Sequence, residues 1–147
     1  MSDGKTDEAP DRQRLTTSFT YSHGFGQLAP FFAGLAEGRL LATRCGHCGE
    51  AFCPPRLLCF CGQAVETWFE TNGVGLLRHV TTCKVGKKPL GLECAPSFGL
   101  IAVQGCSNLF FARLEAPALP GSRLRLRPPD RAVGHPIQQA VFRAESG

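Results

Sequence analysis

The alternation of apolar and polar positions predicts one short helix near the front of the chain and a series of short strands behind it. Within residues 28–38, Leu28, Phe31, Phe32, Leu35 and Ala36 fall at i, i+3, i+4, i+7 and i+8, one apolar stripe of a helix. Pro30 suits its first turn and Gly38 its end. Gly34 costs the helix about 1 kcal/mol in propensity, so docking must hold it in place. A short strand over 39–44 leads into a cysteine cluster. Beyond the cluster, 65–70 alternates, with Val65, Thr67 and Phe69 on one face and Trp68 on the other. Asn72-Gly73 predicts a hairpin into a second strand, from Val74 to about Thr82. Residues 98–104 and 109–115 read as another hairpin, and 122–127 alternates arginines with inward-facing Leu124 and Leu126. A last strand is expected over 137–142. Residues 83–96 are too rich in Gly and Pro for a regular element.

Five or six short strands, two hairpins and one long loop suit a mainly β chain with a small closed or half-closed barrel. A chain of 147 residues, 43% hydrophobic and 19% charged, supports one compact domain plus a small satellite. The expected organisation is a flexible tail over 1–24, a docking helix and lead-in strand over 25–44, a cysteine ribbon over 45–64, and a barrel with a C-terminal extension over 65–147.

The ribbon carries the clearest chemistry. Cys45-Gly-His-Cys48-Gly is followed ten residues later by Cys59-Phe-Cys61-Gly. Two cysteines two residues apart and followed by Gly form a tight knuckle, whose backbone bend lets amide hydrogens approach the sulfurs. The second pair completes a four-sulfur tetrahedral site, Cys45, Cys48, Cys59 and Cys61, of the type that holds a structural zinc. Its single intervening residue predicts a tighter knuckle. Cys53 and His47 are rivals for a ligand place, Cys53 otherwise reading as a small buried hydrophobe. Four thiolates leave no open position for water, so catalysis at this metal is not expected.

Charge adds less. The formal net charge is +4, unevenly spread, with Asp3, Asp7, Glu8 and Asp11 near the start. Lys84, Lys87 and Lys88 cluster mid-chain, and Arg123, Arg125, Arg127 and Arg131 near the end. That excess is mild for nucleic-acid binding and leaves an anionic small molecule or an acidic protein face as partners. The polar N-terminus lacks a signal-peptide core, and no apolar run approaches the roughly 20 residues of a membrane span, so a cytoplasmic location is expected. Eight cysteines in that compartment argue for metal ligation rather than disulfides.

The run from Phe31-Phe32 through Gly38-Arg-Leu-Leu-Ala-Thr-Arg44 to the first knuckle, followed by Phe52-Cys-Pro-Pro-Arg56, resembles the DUF35 proteins. Trp68, Gly73-Val-Gly-Leu-Leu77 and Gly121-Ser-Arg-Leu-Arg-Leu126 sit where that family places its strands, and the likeness spans roughly residues 28 to 127. The resemblance implies an N-terminal helix, a rubredoxin-like zinc ribbon and an OB-fold. It also implies an accessory role beside a thiolase-like large subunit acting on acyl-CoA thioesters, in steroid, aromatic-acid or toluene (benzylsuccinate) degradation. In such complexes the nucleophilic cysteine and catalytic histidines belong to the large subunit, so this chain is expected not to be catalytic alone.

The residues fit that division. They show no Ser-His-Asp arrangement, no phosphate loop and no paired carboxylates in a plausible cleft. His79 and Cys83 form the one candidate base–thiol pair, Cys83 otherwise marking a strand end. Cys94 and Cys106 read as small buried or loop residues. Lys84, Lys87 and Lys88 are candidate contacts for the phosphates of coenzyme A or for a carboxylate-lined patch on the partner, against the plainer reading of a solvated loop. The alternatives are a stand-alone acyl-CoA binder and a single-strand nucleic-acid module. The second is disfavoured because Phe110 and Phe111 read as core.

Overall fold

A computed structural model describes residues 15–84, 96–129 and 135–145. Leu41–Arg44 (β1), Ala51–Phe52 (β2) and Thr67–Glu70 (β3) make an antiparallel sheet in the order β2-β1-β3. Val74–Thr82 (β4), Ser97–Val103 (β5), Leu109–Leu114 (β6), Arg123–Leu126 (β7) and Val141–Ala144 (β8) close into a barrel in the order β4-β5-β6-β8-β7. All its pairs are antiparallel except β6 with β8. This is the five-stranded OB-type barrel that was expected.

Strict alternation on β5 and β6 sends Ile101, Val103, Phe110, Ala112 and Leu114 inwards, where they meet Leu77, Leu124, Leu126 and Phe142. A Cβ at Gly75 would stand 2.5 Å from Ile101 Cγ2, and one at Gly99 2.5 Å from Leu77 Cδ1. Strands β4 and β5 therefore meet at a separation that a side chain at either position would spoil.

The helix Ala29–Ala36 (α1) docks on this core through Phe31 and Leu35, with the Phe31 ring 6.1 Å from Phe110. Leu28 and Phe32 are half-buried, whereas Ala36, expected on the same stripe, is exposed. Gly34 repays its poor propensity here, since a Cβ would come within 3.0 Å of both the Arg39 carbonyl and Leu41 Cγ. Leu40, Ala42 and Cys53 join the same buried cluster, so the small sheet and the barrel share one core. Among the described residues no helix is long and apolar enough to cross a membrane.

Three expectations need correction. Asn72-Gly73 does not fold a hairpin: β3 pairs with β1, from Leu41↔Glu70 to Arg44↔Thr67, and β4 pairs with β5 and β7. The Asn72 side chain accepts from the Val74 N–H at 3.0 Å and donates to Gln104 Oε1 at 2.7 Å. Gly73 turns at φ +70, and the dipeptide carries the chain from one sheet to the other. Secondly, residues 137–142 are not one strand. Pro136–Gln139 is a 3-10 turn capped by His135 Nδ1, which accepts from the Ile137 N–H at 3.2 Å, and β8 begins only at Val141. Thirdly, Phe111 is not core: neighbours on a strand point to opposite faces, so Phe110 is buried and Phe111 is 61% exposed.

Candidate metal centre

Strand β1 delivers Cys45 at its end, and the chain returns through a turn into β2. The Cys45 N–H donates to the Glu50 carbonyl at 2.8 Å, and the Gly49 N–H donates to the Cys45 carbonyl at 2.9 Å. Gly49, at φ +80, takes the left-handed conformation that closes this knuckle. The second knuckle repeats the device. Its Cys59 N–H donates to the Gln63 carbonyl at 2.9 Å, and the Gly62 N–H to the Cys59 carbonyl at 3.0 Å, with Gly62 at φ +85. One residue fewer between the cysteines turns a four-residue closure into a three-residue one.

These two turns bring the sulfurs of Cys45, Cys48, Cys59 and Cys61 within 4.8 Å of one another. Cys45 and Cys61 Sγ lie 3.7 Å apart, and Cys48 and Cys59 Sγ 3.4 Å. A tetrahedral ion with zinc–sulfur bonds of about 2.3 Å sets its ligands roughly 3.8 Å apart, so the four residues fit zinc. Cys45 and Cys59 are buried, and Cys48 and Cys61 are exposed.

The electrostatics agree. Backbone amides of Cys48 and His47 draw the Cys45 thiol down to about 6. Cys48 receives the Glu50 amide, which lowers it, yet the Cys59 sulfur and burial leave it raised. Cys59 likewise takes the Cys61 amide but is raised by burial and by neighbouring sulfurs. The site favours one thiolate and resists the next, the repulsion that a divalent cation removes. Zinc bound there would cross-link the two turns and present no open coordination position.

The remaining candidates separate cleanly. Cys53 is fully buried in the shared core, with burial pushing its thiol strongly up. It stands outside the sulfur cluster, as does exposed His47. His79 and Cys83 are four residues apart along extended backbone, roughly 13 Å, and are no base–thiol pair. Cys106 is half-buried, and burial raises it. Lys84 is exposed, while Lys87, Lys88 and Cys94 lie outside the described residues.

Asn108 and Ser107, in the connection between β5 and β6, fasten the ribbon to the barrel. Asn108 Oδ1 accepts from the Cys53 N–H at 2.7 Å, and its Nδ2 donates to the Pro54 carbonyl at 3.0 Å. Ser107 donates to the Ala51 carbonyl from its N–H at 2.9 Å and from its hydroxyl at 3.0 Å. Their partners lie more than fifty positions away in the chain, and no local pattern reveals such pairings.

Residues 32–66 match the family described as ChsH2, rubredoxin-like zinc ribbon domain. No curated protein sequence matches the chain. Solved structures that share its fold include the following two. One is a DUF35-family protein of unknown function from Sulfolobus solfataricus, with TM-score 0.60, 16% identity, and 82% of this chain and 85% of that one covered. The other is a chain of the Ltp2-ChsH2(DUF35) aldolase, with TM-score 0.60, 22% identity, and 79% and 92% covered. The chain thus shares the fold of DUF35-family structures, and residues 32–66 resemble the ChsH2-type rubredoxin-like zinc ribbon.

Proposed function

We propose that this chain is a noncatalytic zinc-bearing subunit that braces a thiolase-type enzyme acting on acyl-CoA thioesters. The observation that carries the reading is the closed donor set: four convergent cysteine sulfurs fill a tetrahedral shell and leave no place for a substrate. The described residues contain no second cluster of His, Cys, Asp or Glu able to hold a metal. A module with a strong scaffold and no reactive constellation fits a supporting role. The likeness to the ChsH2 component of an aldolase adds a partner that works on carbon–carbon bonds. Within this reading, Lys84, Lys87 and Lys88 contact anions, either coenzyme A phosphates or carboxylates of the partner.

The test is co-expression with a thiolase-type large subunit from the same organism. Stable copurification and turnover that depends on the small subunit are expected. A large subunit that is fully active alone and never binds the chain would end the proposal. Reversal of all three lysine charges with no loss of assembly or activity would remove the anion-contact part alone.

A further inference from the structure

The outer surface of β4, β5 and β6 departs from an ordinary barrel exterior. Directly opposed residues on paired strands share a face. The register sets Leu76 against Ala102, His79 against Leu100 and Thr81 against Phe98, and then Leu100 against Phe111, Ala102 against Leu109 and Phe98 against Arg113. Leu76, Leu109 and Phe111 are exposed, and Phe98 and Leu100 are half-buried. Phe98 and Phe111 stack with ring centroids 5.3 Å apart and planes 10° from parallel. Three adjoining strands therefore present apolar side chains to solvent, on a face where a free-standing sheet carries polar ones.

The charges within these three strands are all basic, although Glu115, just past β6, lies near Arg127. Strands β4, β5 and β6 contain no Asp or Glu, and carry Arg78 and Arg113, with Lys84 just beyond the end of β4. Among the described residues these three form no ion pair. The arginines of β7 differ, since Arg123 and Arg125 both pair with Glu145 and Arg127 lies 3.7 Å from Glu115. Among the described residues, the three β7-side arginines thus lie beside carboxylates, whereas Arg78, Arg113 and Lys84 do not.

We infer that the β4–β5–β6 face is the docking surface for the partner enzyme subunit, which meets it with an apolar patch rimmed by carboxylates. This rests on the subunit role proposed above and adds the surface and the chemistry of its counterpart. A second copy of this chain fits poorly, because a two-fold contact through this face would set Arg78 and Arg113 against cations. Oligonucleotide stacking fits less well than protein. The two rings already cover each other, and apart from Arg113 opposite Phe98 the residues that the register sets against them are Thr81 and Leu100 rather than interleaved lysines and arginines.

The test measures affinity of the full zinc-loaded chain for the same thiolase-type large subunit, with Phe111→Glu, Arg113→Glu and the control Arg143→Glu on β8. Zinc content and circular dichroism check that each variant is folded. Phe111→Glu and Arg113→Glu are each expected to weaken binding at least about tenfold, with Arg143→Glu close to wild type. Wild-type binding that both face variants retain overturns this surface and leaves the subunit role standing. A wild-type chain that does not bind the large subunit overturns both. Self-association, or binding of a single-stranded oligonucleotide, that the face variants abolish while enzyme binding survives also overturns the assignment.

Discussion

The ribbon and the barrel reach order by opposite means. The ribbon's own buried cluster comprises Cys45, Phe52, Cys59 and Val65, two of them candidate metal ligands. The barrel and α1 bury a continuous cluster running from Phe31 and Leu35 through Ile101 and Phe110 to Phe142. Two apolar side chains cannot offset the conformational entropy of some twenty residues, so the ribbon depends on its ion, whereas the barrel depends on area removed from water. The difference separates where a metal is needed from where packing suffices.

The comparison breaks most sharply if the ion is taken away. Cys45→Ser, or chelation of the wild type, should abolish stoichiometric zinc and expose the amides of 45–65 to hydrogen exchange, while β4–β6 amides stay protected. Zinc affinities of small ribbons correspond to about 10–16 kcal/mol at neutral pH, so this is the largest effect expected. Equal loss of protection in the barrel would contradict the division.

The complementary lesion is Phe110→Ala. Its ring packs against Phe31 and Phe142, 6.1 and 5.9 Å between centroids. Removing it should cost about 3–5 kcal/mol in urea unfolding, with zinc still bound in the folded fraction. A loss below about 1 kcal/mol would show that the barrel is not held by this core.

Between the two regions lies Asn108. Asn108→Ala leaves the Cys53 N–H and Pro54 carbonyl without their partner and should cost about 1–3 kcal/mol. Faster exchange at the ribbon–barrel junction, rather than at the sulfur site, is the accompanying signature.

The smallest effect concerns pH. Side-chain hydrogen bonds from Arg125 and then Arg123 lower the pKa of Glu145 from its ordinary value. A depressed carboxyl contributes stability that is present above its unfolded pKa, about 4.3, and is lost as pH falls through the lower folded value. Glu145→Gln should therefore be less stable than wild type at neutral pH, the gap closing as pH drops below about 4. A gap unchanged by acid would remove the ion pair from the account.

What the sequence made legible follows the same division. The knuckles could be read directly, because metal ligation needs particular residues at fixed short spacings, and Gly49 and Gly62 complete them locally. The inward Leu124 and Leu126 were legible through period-two burial, whereas the strand from Val74 to Thr82 was placed from a hairpin signal and is itself buried only at Val74, Gly75 and Leu77. Pairing was not. Asn72-Gly73 is locally a hairpin signal, but β1, whose partners run from Leu41↔Glu70 to Arg44↔Thr67, competes for β3 from far back in the chain and wins. Phe111 was misread because a two-residue aromatic run says nothing of which ring points inwards. Gly34 looked like a flaw until the approach of Leu41 made it a requirement.

X-ray absorption at the zinc edge on the purified chain addresses the closed four-sulfur site, on which the supporting role depends. The account predicts one zinc per chain with four sulfur scatterers at about 2.3 Å and no nitrogen or oxygen in the shell. A shell containing a light-atom ligand, or a chain that binds no zinc, would contradict it.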